Sequence, residues 1–359
     1  MGLKRIGADE ALPSLAGFDA IVDARSESEH AEDHLPSAVN WPVLNDAERA
    51  LVGTEYAQIS AFDARKRGAA LAAINIARHV QQHVLPLPRS WRPLVYCWRG
   101  GQRSGSLAMV LSEIGFAVTV LDGGYRAFRR AVMAELERLP ARLHFTVLAG
   151  RTGSAKSRLL QALAEAGAQV LDLEALARHR GSVLGLVPGD RQPSQKAFET
   201  ALWRALSALD PARPVFAEGE SRTIGRLRLP EALLLRLREA PVRQVQMPLA
   251  ARVDFLLDDY AHFVADVEAF CARLEVLRDL RGAETITRWK ALAHGGDGHT
   301  LVRELLELHY DPVYTKSMRR HFAQFDAAQP VELADAAPAT LAAAARALID
   351  ALPAPSAQA

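Results

Sequence analysis

Along this chain short apolar runs alternate with longer stretches in which apolar positions recur every three or four residues. The runs FDAIVD (18–23), SAVNWPV (37–43), PLVYC (93–97) and AVTVL (117–121) predict strands. The Ala-rich stretch 60–84, the segment SGSLAMVLSEI (104–114) and residues 125–140 predict helices, the last one stopped by Pro140. The rhythm restarts at LHFTVLA (143–149). It continues through a helix at 156–166, strands at 168–172, 214–218 and 242–248, a mostly helical region over 250–310 and an Ala-rich helix at 337–351. Strand, turn and helix repeated in this order predict a parallel α/β sheet in each half. The break at Pro140 sets the expected division: a parallel-sheet domain over 1–138, a second α/β domain with a helical extension over 139–352, and a flexible tail, PAPSAQA, over 353–359.

Composition changes this picture in a few places. An apolar share of 49% is enough to build two real cores. The balance of 43 basic against 42 acidic residues, a formal net charge of +1, removes any global electrostatic case for nucleic acid. A nucleic-acid site must then be a local patch, and SRTIGRLRLPEALLLRLREAPVR (221–243), with Arg222, Arg226, Arg228, Arg236, Arg238 and Arg243, is the candidate. The two cysteines, Cys97 and Cys271, are too few for a disulfide framework and suit a reducing compartment. The opening MGLKRIGADE lacks the apolar centre of a secretory signal, and no stretch reaches about 18 uninterrupted apolar residues. The expectation is a cytoplasmic protein with no membrane partner. His34, His179, His262 and His321 show no ligand spacing with cysteines, so no zinc or other resident metal site is expected.

The chemistry concentrates in two loops. In VYCWRGGQRSG (95–105) a strand ends at Cys97 and a helix opens near Ser104. Gly100 and Gly101 permit tight curvature, so that backbone amides turn inward beside the positive end of the helix. Arg99 and Arg103 add full charges. Such a cradle binds an oxyanion and also stabilises a thiolate. Cys97 is therefore the candidate nucleophile or chalcogen carrier, and Arg99, Gly100, Gly101, Arg103 and Ser104 shape its cradle. The same spacing reads as a tyrosine-phosphatase loop, but Tyr96 stands where that loop has a histidine. Cys271, in VEAFCARLEVL, lies on an apolar helical face and reads as core.

The second loop, GRTGSAKS (150–157), follows a strand and opens a helix, which is the context a phosphate-binding loop requires. Gly150, Gly153, Lys156 and Ser157 would hold a diphosphate, with Ser157 supplying a hydroxyl or a ligand for Mg²⁺. Ala155 stands where such loops have a glycine. Asp172 and Glu218 each end an apolar strand, where a second carboxylate of a phosphate site often lies.

Longer strings carry a family resemblance. IVDARSESEHAEDHLPSAVNWP and LDGGYRAFR (121–129) make residues 8–135 resemble a rhodanese domain, with Cys97 at the position of the sulfur-accepting cysteine and a loop one residue longer than usual. Over nearly the whole chain, YCWRGGQRS, LDGGYRAFR, GRTGSAKS, DLEALARHRGSVLG (172–185), QPSQKAFE (192–199), FAEGESRTIGRLRLP (216–230) and HYDPVY (309–314) resemble the bacterial tRNA 2-selenouridine synthases. That resemblance implies an enzyme acting on the wobble 2-thiouridine of a tRNA anticodon loop. It would replace sulfur by selenium from selenophosphate, through an S-geranyl intermediate made from geranyl diphosphate, with no tightly bound cofactor and Mg²⁺ as a possible companion. It also nominates Glu218, Glu220, Arg222, His179 and Arg180 for the substrate cleft. The rival expectation is a P-loop kinase or ATPase with a regulatory rhodanese-like module.

Overall fold

The computed structural model describes residues 3–179, 191–259 and 266–352. Two compact units divide the chain: Met1–Glu137 with Pro193–Arg204, and Arg138–Gln192 with Ala205–Ala359. The tail expected over 353–359 lies outside the described residues. No helix among the described residues is long and apolar enough to cross a membrane.

The first unit is built on five parallel strands, β1 (Lys4–Ile6), β2 (Ala20–Asp23), β3 (Ala38–Asn40), β4 (Pro93–Tyr96) and β5 (Thr119–Leu121), in the order β1-β5-β4-β2-β3. Three of the four apolar runs read from sequence become the central strands β2, β4 and β5, with Val22, Leu94, Val95 and Val120 fully buried, and SAVNWPV becomes the edge strand β3. β4 delivers Cys97 to the carboxyl end of the sheet, where open α/β sheets place their ligands. The Gln102–Ile114 helix then buries Leu107, Ala108 and Leu111 against the sheet.

A buried polar knot pins this unit. Asp23 and Arg25 are almost without solvent contact and pair at 2.7 Å. Tyr96 donates its hydroxyl to Asp23 at 2.7 Å, and the Arg25 guanidinium lies 4.0 Å over the Tyr125 ring. Each charge has its partners, which is what such burial demands.

Residues 193–204 pack in the first unit, although the sequence places them inside the expected second domain. The physical reason is Asp33, a buried carboxyl that ends the Glu27–Glu32 helix after β2. Thr200, on the Gln195–Ser207 helix, donates to it at 3.0 Å and Tyr125 at 2.8 Å. Trp203 stacks edge-on against Phe128 at 5.8 Å. From Pro193 onward the QPSQKAFE string and the helix it opens thus pack in the first unit, while Gln192 stays in the second, donating to Ala177 O and Ile224 O.

The second unit repeats the plan with β6 (Phe145–Gly150), β7 (Gln169–Leu171), β8 (Val215–Glu218), β11 (Val242–Gln246) and β12 (Gln329–Glu332), all parallel, in the order β12-β11-β6-β8-β7. A short antiparallel pair, β9 (Thr223–Ile224) and β10 (Leu227–Arg228), stands apart. The C-terminal helix Pro338–Asp350 packs Leu341, Ala345 and Leu348 with Leu159, Leu160 and Leu163 of the helix that follows the phosphate loop. β1 and β12 have no counterpart in the apolar pattern. Both are short edge strands, and β12 carries Pro330 where a central strand could not.

Candidate active site

Cys97 sits at the base of its loop with 3% of its surface exposed, in one apolar cluster with Val22, Ala24 and Val43. Ser104 donates its hydroxyl to the sulfur at 3.1 Å, a bond that strengthens when sulfur carries charge. Among the described residues the amides of 98–103 donate to no protein acceptor. Gly100 has φ +66°, and a Cβ there would meet Leu121 O at 2.7 Å, whereas one at Gly101 would meet nothing. Arg99 is exposed, with no carboxylate within ion-pair distance among the described residues. Arg103 departs from the expectation that it faces an anion. Its guanidinium grips both oxygens of Glu29, at 2.6 and 3.3 Å, and this pairing holds the Glu29 carboxyl below its usual range against the opposing effect of burial. Arg103 therefore fixes the loop's far end, and Arg99 remains as its uncommitted cation.

The floor of the cradle comes from LDGGYRAFR. Tyr125 N donates to Cys97 O at 2.8 Å and Arg126 N to Trp98 O at 3.1 Å. Gly124, at φ +56°, passes so close that a Cβ would stand 2.2 Å from Cys97 O and 2.5 Å from Gly100 N. We expect Gly124→Ala to destabilise the first unit by about 3 kcal/mol or more, because backbone on both sides blocks relief. Chemical denaturation checks this, and a loss below about 1 kcal/mol would show that the loop can move aside.

In the second unit Gly150 ends β6, and the phosphate loop turns through Gly153 at φ +78° into the helix Lys156–Glu165. A Cβ on Gly150 would meet Ser154 Oγ at 2.6 Å, and one on Gly153 would meet Leu256 at 2.8 Å. Ala155 occupies the left-handed region, φ 57°, which a glycine enters without cost. Its methyl is buried with Leu148 and Leu159, so packing offsets part of that strain. Lys156 Nζ donates to Gly150 O at 2.7 Å and lies 5.7 Å from the centre of the Tyr314 ring. Tyr314 in turn accepts the Gly150 amide at 2.6 Å. Arg252, nearly fully buried, donates to Thr152 O at 2.7 Å and is held by Asp311 at 2.6 Å. The HYDPVY string therefore braces the phosphate loop through Asp311 and Tyr314.

Beside the loop lies a cavity of about 650 Å³. Its lining combines polar side chains, among them Lys156, Ser157, Asp172, Glu174 and Glu220, with apolar and aromatic ones, among them Phe255, Leu256, Tyr310, Val313, Met318 and Phe322. Ser157 Oγ stands 2.6 Å from Glu218 Oε1 and 3.0 Å from Glu174 Oε2. Oxygens of Glu174, Glu218 and Glu220 fall within 4.8 Å of one another, and Glu218 Oε2 is buried without a partner. Asp172 also caps the Leu173–Ala177 helix, accepting from Ala175 N at 2.8 Å.

Burial and the neighbouring carboxylates push Glu218 well above its usual range and Glu220 up to about 8. Both groups are raised in the folded state, so the stability they lend is complete below the ordinary value of 4.5 and is lost as pH rises through the folded values. In chelator-containing buffer the second unit should therefore melt roughly 5 °C lower at about pH 8.5 than at about pH 5.5. Glu220→Gln should flatten that slope. Thermal unfolding across this range tests it, and an unchanged slope in the variant would remove Glu220 as the cause.

Comparison with known proteins decides the family. Residues 143–281 match the model described as the tRNA 2-selenouridine synthase AAA domain, and residues 7–131 match the rhodanese-like domain. A tRNA 2-selenouridine synthase from Nitrosomonas europaea is 37% identical over 71% of this chain and 67% of its own length. One from Bdellovibrio bacteriovorus is 33% identical over 89% of this chain and 95% of its own length.

The chain belongs to the tRNA 2-selenouridine synthase family.

It is thus a tRNA-modifying enzyme with a rhodanese-like unit followed by a P-loop-like unit. The residues carried over from the family strings separate in the structure. Glu218 and Glu220 join the carboxylate group beside Ser157. Arg222 does not line the cavity; it is exposed and pairs with Glu231 at 3.5 Å. His179 is buried away from the cavity lining, with Nδ1 unpartnered and its basicity lowered by burial. Arg180 lies outside the described residues. The arginine-rich stretch 221–243 is partly spent internally: Arg226 donates to Gln192 O at 2.7 Å, and Arg236 to Leu143 O at 3.2 Å. Glu174, given no role by the sequence alone, is the member of this carboxylate group that reasoning from strand ends missed. It reaches the site from the short helix after β7, one strand beyond β8.

Proposed function

We propose that this synthase exchanges the wobble sulfur for selenium in two steps, passing through an S-geranyl nucleoside. The observation that carries the reading is the second unit's cavity, whose lining combines phosphate-loop residues with apolar and aromatic side chains. A prenyl diphosphate has that same division into an anionic head and an apolar tail. In the first step the thione sulfur attacks the first carbon of geranyl diphosphate, the carbon–oxygen bond breaks, and the nucleobase loses its N3 proton to water. Diphosphate departs onto Lys156 and the loop amides. The rings of Tyr310 and Tyr314 offer π-density to the positive charge that develops on the allylic carbon.

Mg²⁺ fits the carboxylate group, because Glu218 Oε2 has no partner and a cation would relieve the mutual repulsion that raises Glu218 and Glu220. Glu174, Glu218, Glu220 and Ser157 would hold it. It would supply positive charge that offsets these carboxylates and favours the departing diphosphate.

The second step belongs to the first unit. S-alkylation makes carbon 2 more electrophilic and turns the sulfur into a leaving group. The Cys97 thiolate adds at carbon 2 and geranyl thiolate departs, taking a proton from water. Selenophosphate, held by the loop amides and Arg99, then attacks carbon 2 through selenium and returns Cys97 as thiolate. Water cleaves the selenium–phosphorus bond, releasing phosphate and the 2-selenouridine. A Cys97 perselenide drawn from selenophosphate would instead have to expel phosphite, a poor leaving group.

Mass spectrometry of wobble nucleosides tests the scheme. A 2-thiouridine tRNA is incubated with the protein, geranyl diphosphate and selenophosphate, each omitted in turn. S-geranyl-2-thiouridine should accumulate without selenophosphate, and nothing should form without geranyl diphosphate. Steady ATP hydrolysis with no modified nucleoside would favour the kinase or ATPase reading instead.

A further inference from the structure

The first unit contains a second large space that the scheme above leaves unused. It lies among the helices Asp46–Gln58, Ala61–His79 and Gln102–Ile114 and encloses about 1240 Å³. Its walls are mostly small or aliphatic: Val52, Ala69, Ala72, Ala73, Ile76 and Met109. The run of small side chains on the Ala61–His79 helix is what keeps it open. Met109 and Ala69 are exposed although apolar, and that exposure has a cost for which the fold alone gives no reason.

Two features tie the space to Cys97. Val43 and Ile76, on its wall, belong to the apolar cluster that contains Cys97. Gln102 and Arg103, which also line it, are the residues through which the Cys97 loop enters its helix. The ion pair with Glu29 holds the Arg103 guanidinium in a fixed place there. An apolar space of this size, opening beside a nucleophile's loop, suits a substrate whose reacting carbon carries an apolar chain.

The proposed intermediate has that form: its geranyl chain hangs from the sulfur on the carbon that Cys97 attacks. Resting on that reading, we propose that this space receives the prenyl chain of the S-prenylated wobble nucleoside while carbon 2 faces Cys97. The chain then leaves with its thiol from the same space. The site also selects the intermediate over unprenylated 2-thiouridine, which would leave the apolar walls in water.

The test supplies the full-length protein and selenophosphate with anticodon-loop RNA carrying either S-geranyl- or S-methyl-2-thiouridine. Ala72→Phe fills the space from its wall, and Ala69→Leu fills it less from a more exposed position. The expected result is a loss of about tenfold or more with the geranyl substrate in Ala72→Phe, mainly in KM, and a smaller loss in Ala69→Leu. Conversion of the S-methyl substrate and geranylation of 2-thiouridine should stay at wild-type rates. Equal conversion of the geranyl substrate by wild type and both variants would overturn the assignment. So would an equal loss on both substrates in a variant that melts normally, and so would a dimer that Ala72→Phe dissociates. Calorimetry with geraniol separates this inference from the reading beneath it. A wild type that makes no selenouridine, yet binds geraniol at a site lost in Ala72→Phe, would sink the two-step scheme and keep the apolar site. No geraniol site sensitive to Ala72→Phe would sink the apolar site itself.

Discussion

Cys97→Ser should abolish selenium incorporation, by about 10³-fold or more, while geranylation of 2-thiouridine stays within about twofold of wild type. The asymmetry follows from where the groups lie. Cys97, its Ser104 donor and the Gly124 floor all belong to the first unit, whereas the phosphate loop, the carboxylates and the aromatic wall belong to the second. A serine in this place preserves shape and hydrogen bonding but is a far weaker nucleophile at neutral pH, since its hydroxyl stays protonated. In molar excess over S-geranyl RNA and without selenophosphate, so that its single turnover consumes the substrate, wild type should release geranyl thiol and hold the RNA through Cys97, giving an adduct visible by intact mass. The serine variant should do neither. Serine protein that made 2-selenouridine at the wild-type rate would end the case for Cys97 as nucleophile. Wild-type protein that made selenouridine without ever forming the adduct would replace covalent addition by direct attack of selenophosphate.

Both loops were legible before any coordinates because each is a local event: a strand ends, glycines turn the chain, a helix begins. Nothing distant is needed to foresee Cys97 or Lys156 at a strand's carboxyl end. What the string of residues could not disclose is who holds whom across long separations. Arg103 reads as a free charge until Glu29, from the first helix after β2, is found against it. Gly124 reads as a turn residue until its closeness to Cys97 O is seen. Glu174 reads as one more helical acid, yet it shares Ser157 with Glu218. Arg252 and Asp311 carry no local sign of bracing Thr152. The same blindness applies to β1 and β12, whose side chains are largely exposed and whose strand form depends on a neighbour to pair with. The QPSQKAFE string shows the limit most clearly. Its position in the chain places it in one domain, and a buried carboxyl, Asp33, bonded by Thr200 just after the string, draws all of it but Gln192 into the other.

Lys156→Ala should produce the mirror image of the cysteine variant: geranylation falls by about 10²–10³-fold, and conversion of supplied S-geranyl tRNA proceeds at the wild-type rate. Without ligand the ammonium bridges back to Gly150 O at 2.7 Å and faces the Tyr314 ring, so it is held at the loop's centre with no acid partner among the described residues. An incoming diphosphate competes with a carbonyl for this charge and, at longer range, with Glu220. The contact matters most as the carbon–oxygen bond breaks, because the departing diphosphate then gains charge that the bound substrate did not have. The loss should therefore appear chiefly in kcat rather than KM. Arginine should not rescue it. A guanidinium spreads its charge over a planar fork, whereas the ammonium sets a compact point charge on Gly150 O at the loop. The carboxylates across the cavity sharpen the expectation. With Lys156 gone, Asp172, Glu174, Glu218 and Glu220 face the diphosphate with one positive charge fewer, and raising Mg²⁺ should recover part of the rate. If Lys156→Ala geranylated normally, the phosphate loop would not be where diphosphate leaves. If it lost conversion of the supplied S-geranyl tRNA as well, the two steps would not be divided between the two loops.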